Sequence, residues 1–233
     1  MRLSIKTNKT GSNYTIIGDY KNLKGKRSTY VYESLGNDTK LIERFGSNDT
    51  MTKVQEYIDS LNRQECIYPE NYIKAHFLEN HDQTRLAAYV PDAKLRNHWN
   101  AFALFAKGIG FVYNGQEYSA LRRPELFEVD TIDRSGEDIS WLIKSMMKIK
   151  RNEICRKGSF FAREIRRGVV KAEYTYNQER LIGYFRLDGP ACSIDSGIDE
   201  GEYKEELTGK AIQVFHGVLK LDETPVIFHF KRT

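Results

Sequence analysis

Two spacings of apolar residues divide this chain. Met51, Val54, Tyr57, Ile58 and Leu61 recur every three or four positions and share one face of a helix, with cap candidates between Gly46 and Thr50. Tyr72–Leu78 then reads as a short buried strand. Pro91 and Asp92 open a second helix, lined by Leu95, Trp99, Phe102, Ala103 and Ala106 and ended by Gly108. A second apolar run, Ile109–Tyr113, precedes a third helix over 137–151 that carries Ile139, Leu142, Ile143, Met146 and Met147. This alternation predicts βα units on a parallel sheet, with about 35 residues per unit.

Beyond Phe160 the spacing changes to two. Val170, Ala172, Tyr174 and Tyr176 form one alternating set, Leu181, Gly183, Phe185 and Leu187 a second, and Val226, Phe228 and Phe230 a third. Residues 176–180 suit a hairpin loop. An antiparallel β domain over 153–233 therefore follows an α/β segment over 37–152. Residues 1–36, rich in Thr, Asn, Gly and Lys, read as an irregular leader with one or two strands at Tyr14–Ile17 and Tyr30–Tyr32.

Charge narrows the class of partner. The 36 basic and 32 acidic residues of the 233 leave +4. Residues 1–48 hold nine Lys/Arg against four Asp/Glu, and only Lys24, Lys26 and Arg27 cluster. That is too little for a nucleic-acid footprint. No apolar run approaches the ~18 residues of a membrane helix, and no secretory signal is visible at Met1, so a cytoplasmic protein without membrane or nucleic-acid partners is expected. Cys66, Cys155 and Cys192 are far apart, with neither a CxxC pair nor a nearby His, which predicts reduced thiols and no metal or other cofactor.

Candidate chemistry concentrates in two places. Phe77–Arg85 runs from a strand into Glu79, Asn80, His81 and Asp82, placing polar groups at the strand's C-terminal end. His81 and Asp82 are open to three readings: an acid/base pair, half of a metal site, or a capping carboxylate beside a surface histidine. No second His-rich cluster supports metal. Some 30 residues later Gly108–Glu117 repeats the arrangement, a strand ending in Asn114, Gly115, Gln116 and Glu117. Two consecutive strands with polar residues at the same end form a shared rim.

Together these segments resemble the α-amylase family of glycoside hydrolases (family 13). Phe77–Asp82 is similar to the family's strand-seven motif, which ends in His-Asp, and Gly108–Glu117 to its strand-eight motif, with Gly110 where proline is usual. The alternating tail, with Glu206–Lys210 and Pro225–Phe228, resembles the β-sandwich that follows the barrel. The resemblance covers about residues 37–233. It implies an α/β plus β fold: roughly units six to eight of a (β/α)8 TIM barrel, then an antiparallel β-sandwich.

The implied activity is retaining hydrolysis of α-1,4-glucans, which uses two carboxylates about 5–5.5 Å apart. Asp82 matches a third carboxylate, which binds sugar hydroxyls and favours the oxocarbenium-like ring. His81 matches a sugar-contacting histidine. Asn80 and Arg85 are further substrate-site residues of the rim, expected to orient Asp82. The nucleophile and the acid/base have no counterparts, and Glu33 stands too close to strand seven to serve. The chain is therefore expected to be inactive alone on an α-glucan or oligosaccharide, and to self-associate or dock a complementing N-terminal half through the open strands. Tyr89, Tyr113 and Tyr118 are candidate sugar-stacking rings, packing being the alternative, and Trp99 and Trp141 are expected against the sheet. The competing readings are a non-catalytic glycan-binding or structural protein using the same rim, and a complete small α/β enzyme.

Overall fold

The computed structural model describes residues 2–8, 11–21, 27–37, 50–69 and 72–231. The chain divides into two compact units, Met1–Lys53 and Val54–Thr233.

In the first unit β1 (Arg2–Asn8), β2 (Gly11–Lys21) and β3 (Arg27–Asn37) form an antiparallel sheet in the order β1-β2-β3. The expected irregular leader is thus three strands. The two apolar pieces lie inside β2 and β3, and the intervening Thr and Ser suit a pleated ladder better than the polar composition suggests. The register slips between Tyr14 and Thr15 and between Ile16 and Ile17.

The helix α1 (Thr50–Ile67) follows the predicted spacing, with Ile58 and Leu61 buried. Its cap candidates at 46–49 lie outside the described residues, as do the side chains of Met51 and Val54. β4 (Ala75–His76) and β5 (Ile109–Gly110) pair in parallel. Both are shorter than the predicted Tyr72–Leu78 and Ile109–Tyr113. Among the described residues each has only the other to pair with, so the ladder closes after two rungs. Ile73 is 66% and Ile109 58% exposed, and Tyr72, Phe77 and Phe111 are also exposed rather than buried.

Between the two strands lie α2 (Leu86–Tyr89) and α3 (Ala93–Phe105). Asp92 caps α3, its Oδ1 accepting the Lys94 and Leu95 N–H groups at 2.8 and 3.3 Å. Gly108 has φ +116°, and a Cβ there would collide with the Lys74 carbonyl oxygen, so the return into β5 requires glycine. The third helix, α4 (Ser140–Lys150), starts later than predicted, where Asp138 Oδ1 accepts the Ser140 N–H at 2.8 Å. Trp141, expected against the sheet, is exposed on α4. Trp99 is partly buried and donates Nε1–H to the Leu187 carbonyl at 3.0 Å.

After α5 (Glu153–Lys157) come β6 (Ser159–Arg166), β7 (Val169–Tyr176), β8 (Glu179–Arg186) and β13 (Val226–Phe230), ordered β13-β8-β7-β6. Asn177 and Gln178, both at positive φ, turn β7 into β8 as the hairpin reading predicts. A second layer holds β9 (Cys192–Asp195) paired with β12 (Val218–Leu221), and β10 (Gly201–Lys204) paired with β11 (Ala211–Val214).

The four-stranded sheet is covered on both faces. Val170, Ala172, Tyr174, Leu181, Phe185 and Ile227 pack with residues of α1, α3, α4 and α5. Val169, Ile182, Tyr184, Val226 and Phe228 pack with residues of β9, β11 and β12. Leu181–Arg186 is consequently buried at every position, where strict alternation predicts one buried face. One core therefore joins the α/β segment to the β domain.

Candidate active-site rim

The rim grows from the parallel pair. The Ile109 N–H donates to the Lys74 carbonyl and the Phe111 N–H to the His76 carbonyl, both at 2.8 Å. Residues 77–82 and 111–116 thereby leave the sheet at the same, C-terminal, end. Beneath them His76 is buried, with Nε2 2.7 Å from the Lys107 carbonyl and Nδ1 3.4 Å from the Tyr57 hydroxyl. Nε2 therefore carries the proton, and Nδ1 accepts. Burial pushes His76 down to about 4, so it is neutral near pH 7.

A buried ion pair joins the two loops. Arg85 is fully buried, and its Nη1 meets Glu79 Oε1 at 2.7 Å. Glu79 Oε2 accepts the Leu86 N–H at 2.6 Å. Arg85 Nη2 donates to the Asn114 carbonyl at 2.9 Å and Nε to the Arg122 carbonyl at 3.3 Å, and its guanidinium lies 4.5 Å from the Tyr113 ring centre. Gly115, at φ +93°, sits so close that a Cβ would collide with Ile132. Gln116 Nε2 donates to Asn100 Oδ1 at 2.7 Å, and Glu117 Oε2 accepts the Gly115 N–H at 2.9 Å. Gln116 and Glu117 are thus engaged in holding this loop together and fixing it to α3.

Asp82 and His81 are not. Their side chains are 67% and 61% exposed, and His81 Nε2 lies 3.3 Å from Asp82 Oδ2. The Asp82 backbone is fixed on both sides: its N–H donates to Asn80 Oδ1 at 2.9 Å, and its carbonyl accepts from Arg123 Nη1 at 3.1 Å. The structure therefore brings Asn80, His81 and Asp82 together in one turn. Arg85, expected among the substrate contacts, lies inside the scaffold instead, because its charge is matched by Glu79 and its remaining donors by carbonyls of the neighbouring loop.

Of the three rim tyrosines, Tyr89 is exposed and donates its hydroxyl to the Leu78 carbonyl at 3.1 Å. Tyr113 is covered by Arg85, and Tyr118 lies under Arg134 at 5.5 Å. Sequence reasoning missed Glu79 as the partner of Arg85. The available signal was a carboxylate and a guanidinium six residues apart across a turn. Among the described residues no group of three or more His, Cys, Asp or Glu could hold a metal ion. Nor is any described helix long and apolar enough to cross a membrane.

Two short parallel strands with helices between them, and polar turns at their C-terminal ends, are βα units of the kind from which α/β folds are built. Residues 7–176 match the family described as Alpha amylase, catalytic domain, and residues 161–228 the Bacterial Alpha amylase C-terminal domain. The first match spans well over half of the chain, and this chain belongs to the α-amylase family.

Among solved structures it is similar to an α-amylase from Lactobacillus plantarum, with 30% identity, TM-score 0.72, and coverage of 83% of this chain and 46% of that one. A maltogenic α-amylase from Thermotoga neapolitana follows at 26% identity and TM-score 0.66, with 83% and 48% covered. Alpha-amylase 2 of Schwanniomyces occidentalis is 35% identical over 72 residues, 31% of this chain and 14% of that protein. The chain thus spans about half the length of the solved relatives. Its fold is part of a (β/α)8 barrel followed by an antiparallel β domain.

Proposed function

We propose that this chain supplies one wall of an α-amylase-type site for retaining hydrolysis of α-1,4-glucans. Asp82 steadies the positive charge that develops on the sugar ring, His81 contacts the same sugar, and Asn80 and Arg85 hold the turn that presents them. The observation that carries this reading is the exposure of the paired Asp82 and His81 at the C-terminal end of β4, beside side chains that are locked into the scaffold. The motif's nucleophile and acid/base have no counterparts in these 233 residues, so the chain alone is inactive. The exposure of Ile73, Phe77, Ile109 and Phe111 supports docking of a complementing barrel half against these strands.

The test is release of reducing ends from maltooligosaccharides. The chain alone is expected to release none. Mixed with a polypeptide carrying the preceding half of the Lactobacillus plantarum amylase, it is expected to gain activity that Asp82→Asn removes. Cleavage by the chain unaided overturns the reading. Retention on amylose with no turnover in the mixture favours a non-catalytic glycan-binding role.

A further inference from the structure

A second concavity lies at the other end of β4 and β5. Lys74 immediately precedes β4, Lys107 precedes β5, and a cavity of 490 Å³ opens against both, walled also by the ends of α1 and α5 and the start of β6. Its charge is one-sided. Lys74, Lys107, Arg156 and Lys157 line it, and no described lining residue is a carboxylate. Glu153 pairs with Lys157 at 2.7 Å, and Glu70, between Tyr68 and Tyr72 in sequence, lies outside the described residues.

Basic residues in a last turn offset a helix dipole, which accounts for Arg156 and Lys157 on α5. It does not account for Lys74, which stands at a strand's start, donates Nζ to Gln64 Oε1 at 2.8 Å, and is held below the usual lysine range by burial. The neutral His76 forms part of the wall, and Lys74 and Lys150 add to the burial that keeps it uncharged. On the rim the exposed rings of Tyr68 and Tyr72 stack at 4.2 Å.

We propose that this cavity binds a phosphate monoester carried on a ring, with the phosphate among Lys74, Arg156 and their basic neighbours and the ring against the tyrosine pair. Phosphate suits clustered ammonium and guanidinium donors. The volume lies within the ~300–1,000 Å³ of small-molecule sites. The cavity opens at the N-terminal ends of β4 and β5, opposite the loops that carry Asp82 and His81, so this site is separate from the glucan rim and does not rest on the reading of that rim. A sugar phosphate and a nucleoside monophosphate share the required chemistry.

Calorimetric titration of the whole chain with glucose 1-phosphate, AMP and inorganic phosphate tests the proposal and separates the two sources. One or both esters are expected to bind saturably, more tightly than inorganic phosphate, and to weaken with salt; the tighter ester identifies the ring. Lys74→Gln and Arg156→Gln are each expected to weaken binding about tenfold. Lys210→Gln, in an exposed turn, should leave it unchanged. Arg156 is exposed, so its variant keeps the test valid if the Lys74 variant misfolds. The proposal is overturned by an absence of saturable ester binding at millimolar concentration, by affinity that both variants leave intact, or by equal competition from maltose. Inorganic phosphate binding as tightly as the esters overturns it too, because the ring then contributes nothing.

Discussion

The four-stranded sheet and the β4–β5 pair are held by different physics. The sheet is packed by apolar clusters on both faces, and its inner strand β8 is buried over Leu181–Arg186. The pair has two rungs and exposed aliphatic neighbours, and its loops are held by a few directional bonds centred on Glu79 and Arg85. Damage to the sheet should therefore scale with volume removed. Damage to the rim should depend on which partner of a polar pair is lost. The exposed side chains of Asp82 and His81 belong to neither scheme.

The largest effect is expected in the shared core. Phe105 packs against Tyr174 and Phe185, with ring centres 5.3 Å apart in each case, and is 1% exposed. Phe105→Ala should cost about 4 kcal/mol in denaturant unfolding. Because Phe105 lies on α3 and its partners on β7 and β8, tryptophan fluorescence and far-ultraviolet circular dichroism should report one shifted transition. Separate transitions for the α/β segment and the β domain would break the comparison at its root.

Next comes the rim clamp. Arg85→Met strands the buried Glu79 carboxylate and should cost about 3 kcal/mol, because an unmatched buried charge is more damaging than a lost contact. The double variant Glu79→Met, Arg85→Met should recover most of that loss. A double variant no better than the single one would place the cost in the Asn114 and Arg122 carbonyls that Arg85 also serves.

The elements most legible in the sequence were those whose stability is local. Asp92 announced α3, the 3.6-residue spacing announced α1 and α4, and residues 176–180 announced their hairpin. Strand lengths were not legible, because a strand's extent depends on neighbours the pattern does not name; β4 and β5 therefore shrank. The two buried faces of β8 were hidden for the same reason, as was the exposure of Trp141. At the rim, Asn80, His81 and Asp82 were found as a motif. Glu79 was found there too but its pairing with Arg85 was not, since burial of a carboxylate becomes visible only when Arg85 is seen folded over it. Glu205 is a parallel case: it is buried, accepting the Leu207 N–H at 2.8 Å, the Thr208 N–H at 2.8 Å and the Ile227 N–H at 3.2 Å.

Acid should act on both regions, since burial lowers His76 beneath the rim and His98 in the core alike to about 4. His98 is fully buried and accepts the Arg186 N–H on Nδ1 at 2.9 Å, leaving Nε2–H to donate to the Asp222 carbonyl at 3.3 Å. Burial lowers it to about 4, with the backbone bond to Asp222 and the Arg186 charge as smaller influences. The unfolded chain therefore binds more protons between about pH 6.5 and 4. Stability is complete above that window and falls as pH drops through it, by about 2 kcal/mol from this group between pH 7 and pH 5. Melting temperatures across that range measure it, and His98→Gln should flatten the slope.

A smaller effect is expected where α1 meets the sheet. Asn62 donates Nδ2–H to the Ala162 carbonyl at 2.6 Å and accepts the Ala162 N–H on Oδ1 at 2.9 Å. It thus satisfies the open edge of β6, the outer strand, as another strand would. Asn62→Ala should cost about 1.5 kcal/mol by equilibrium unfolding. It should also raise the tendency to associate in light scattering, since the edge is then unpaired.

The smallest change in stability is expected at the residue with the greatest proposed role. Asp82 points its carboxylate into solvent beside His81, and the hydrogen bonds that fix its turn use its backbone N–H and carbonyl. Asp82→Asn preserves shape and removes only charge, so unfolding should move by less than about 0.5 kcal/mol. If the rim engages glucans, the same variant should elute early from amylose affinity electrophoresis while retaining the parent's melting temperature. A large loss of stability would mean that Asp82 belongs to the scaffold with Glu79 and Arg85. Unchanged retention would mean that sugar is held elsewhere.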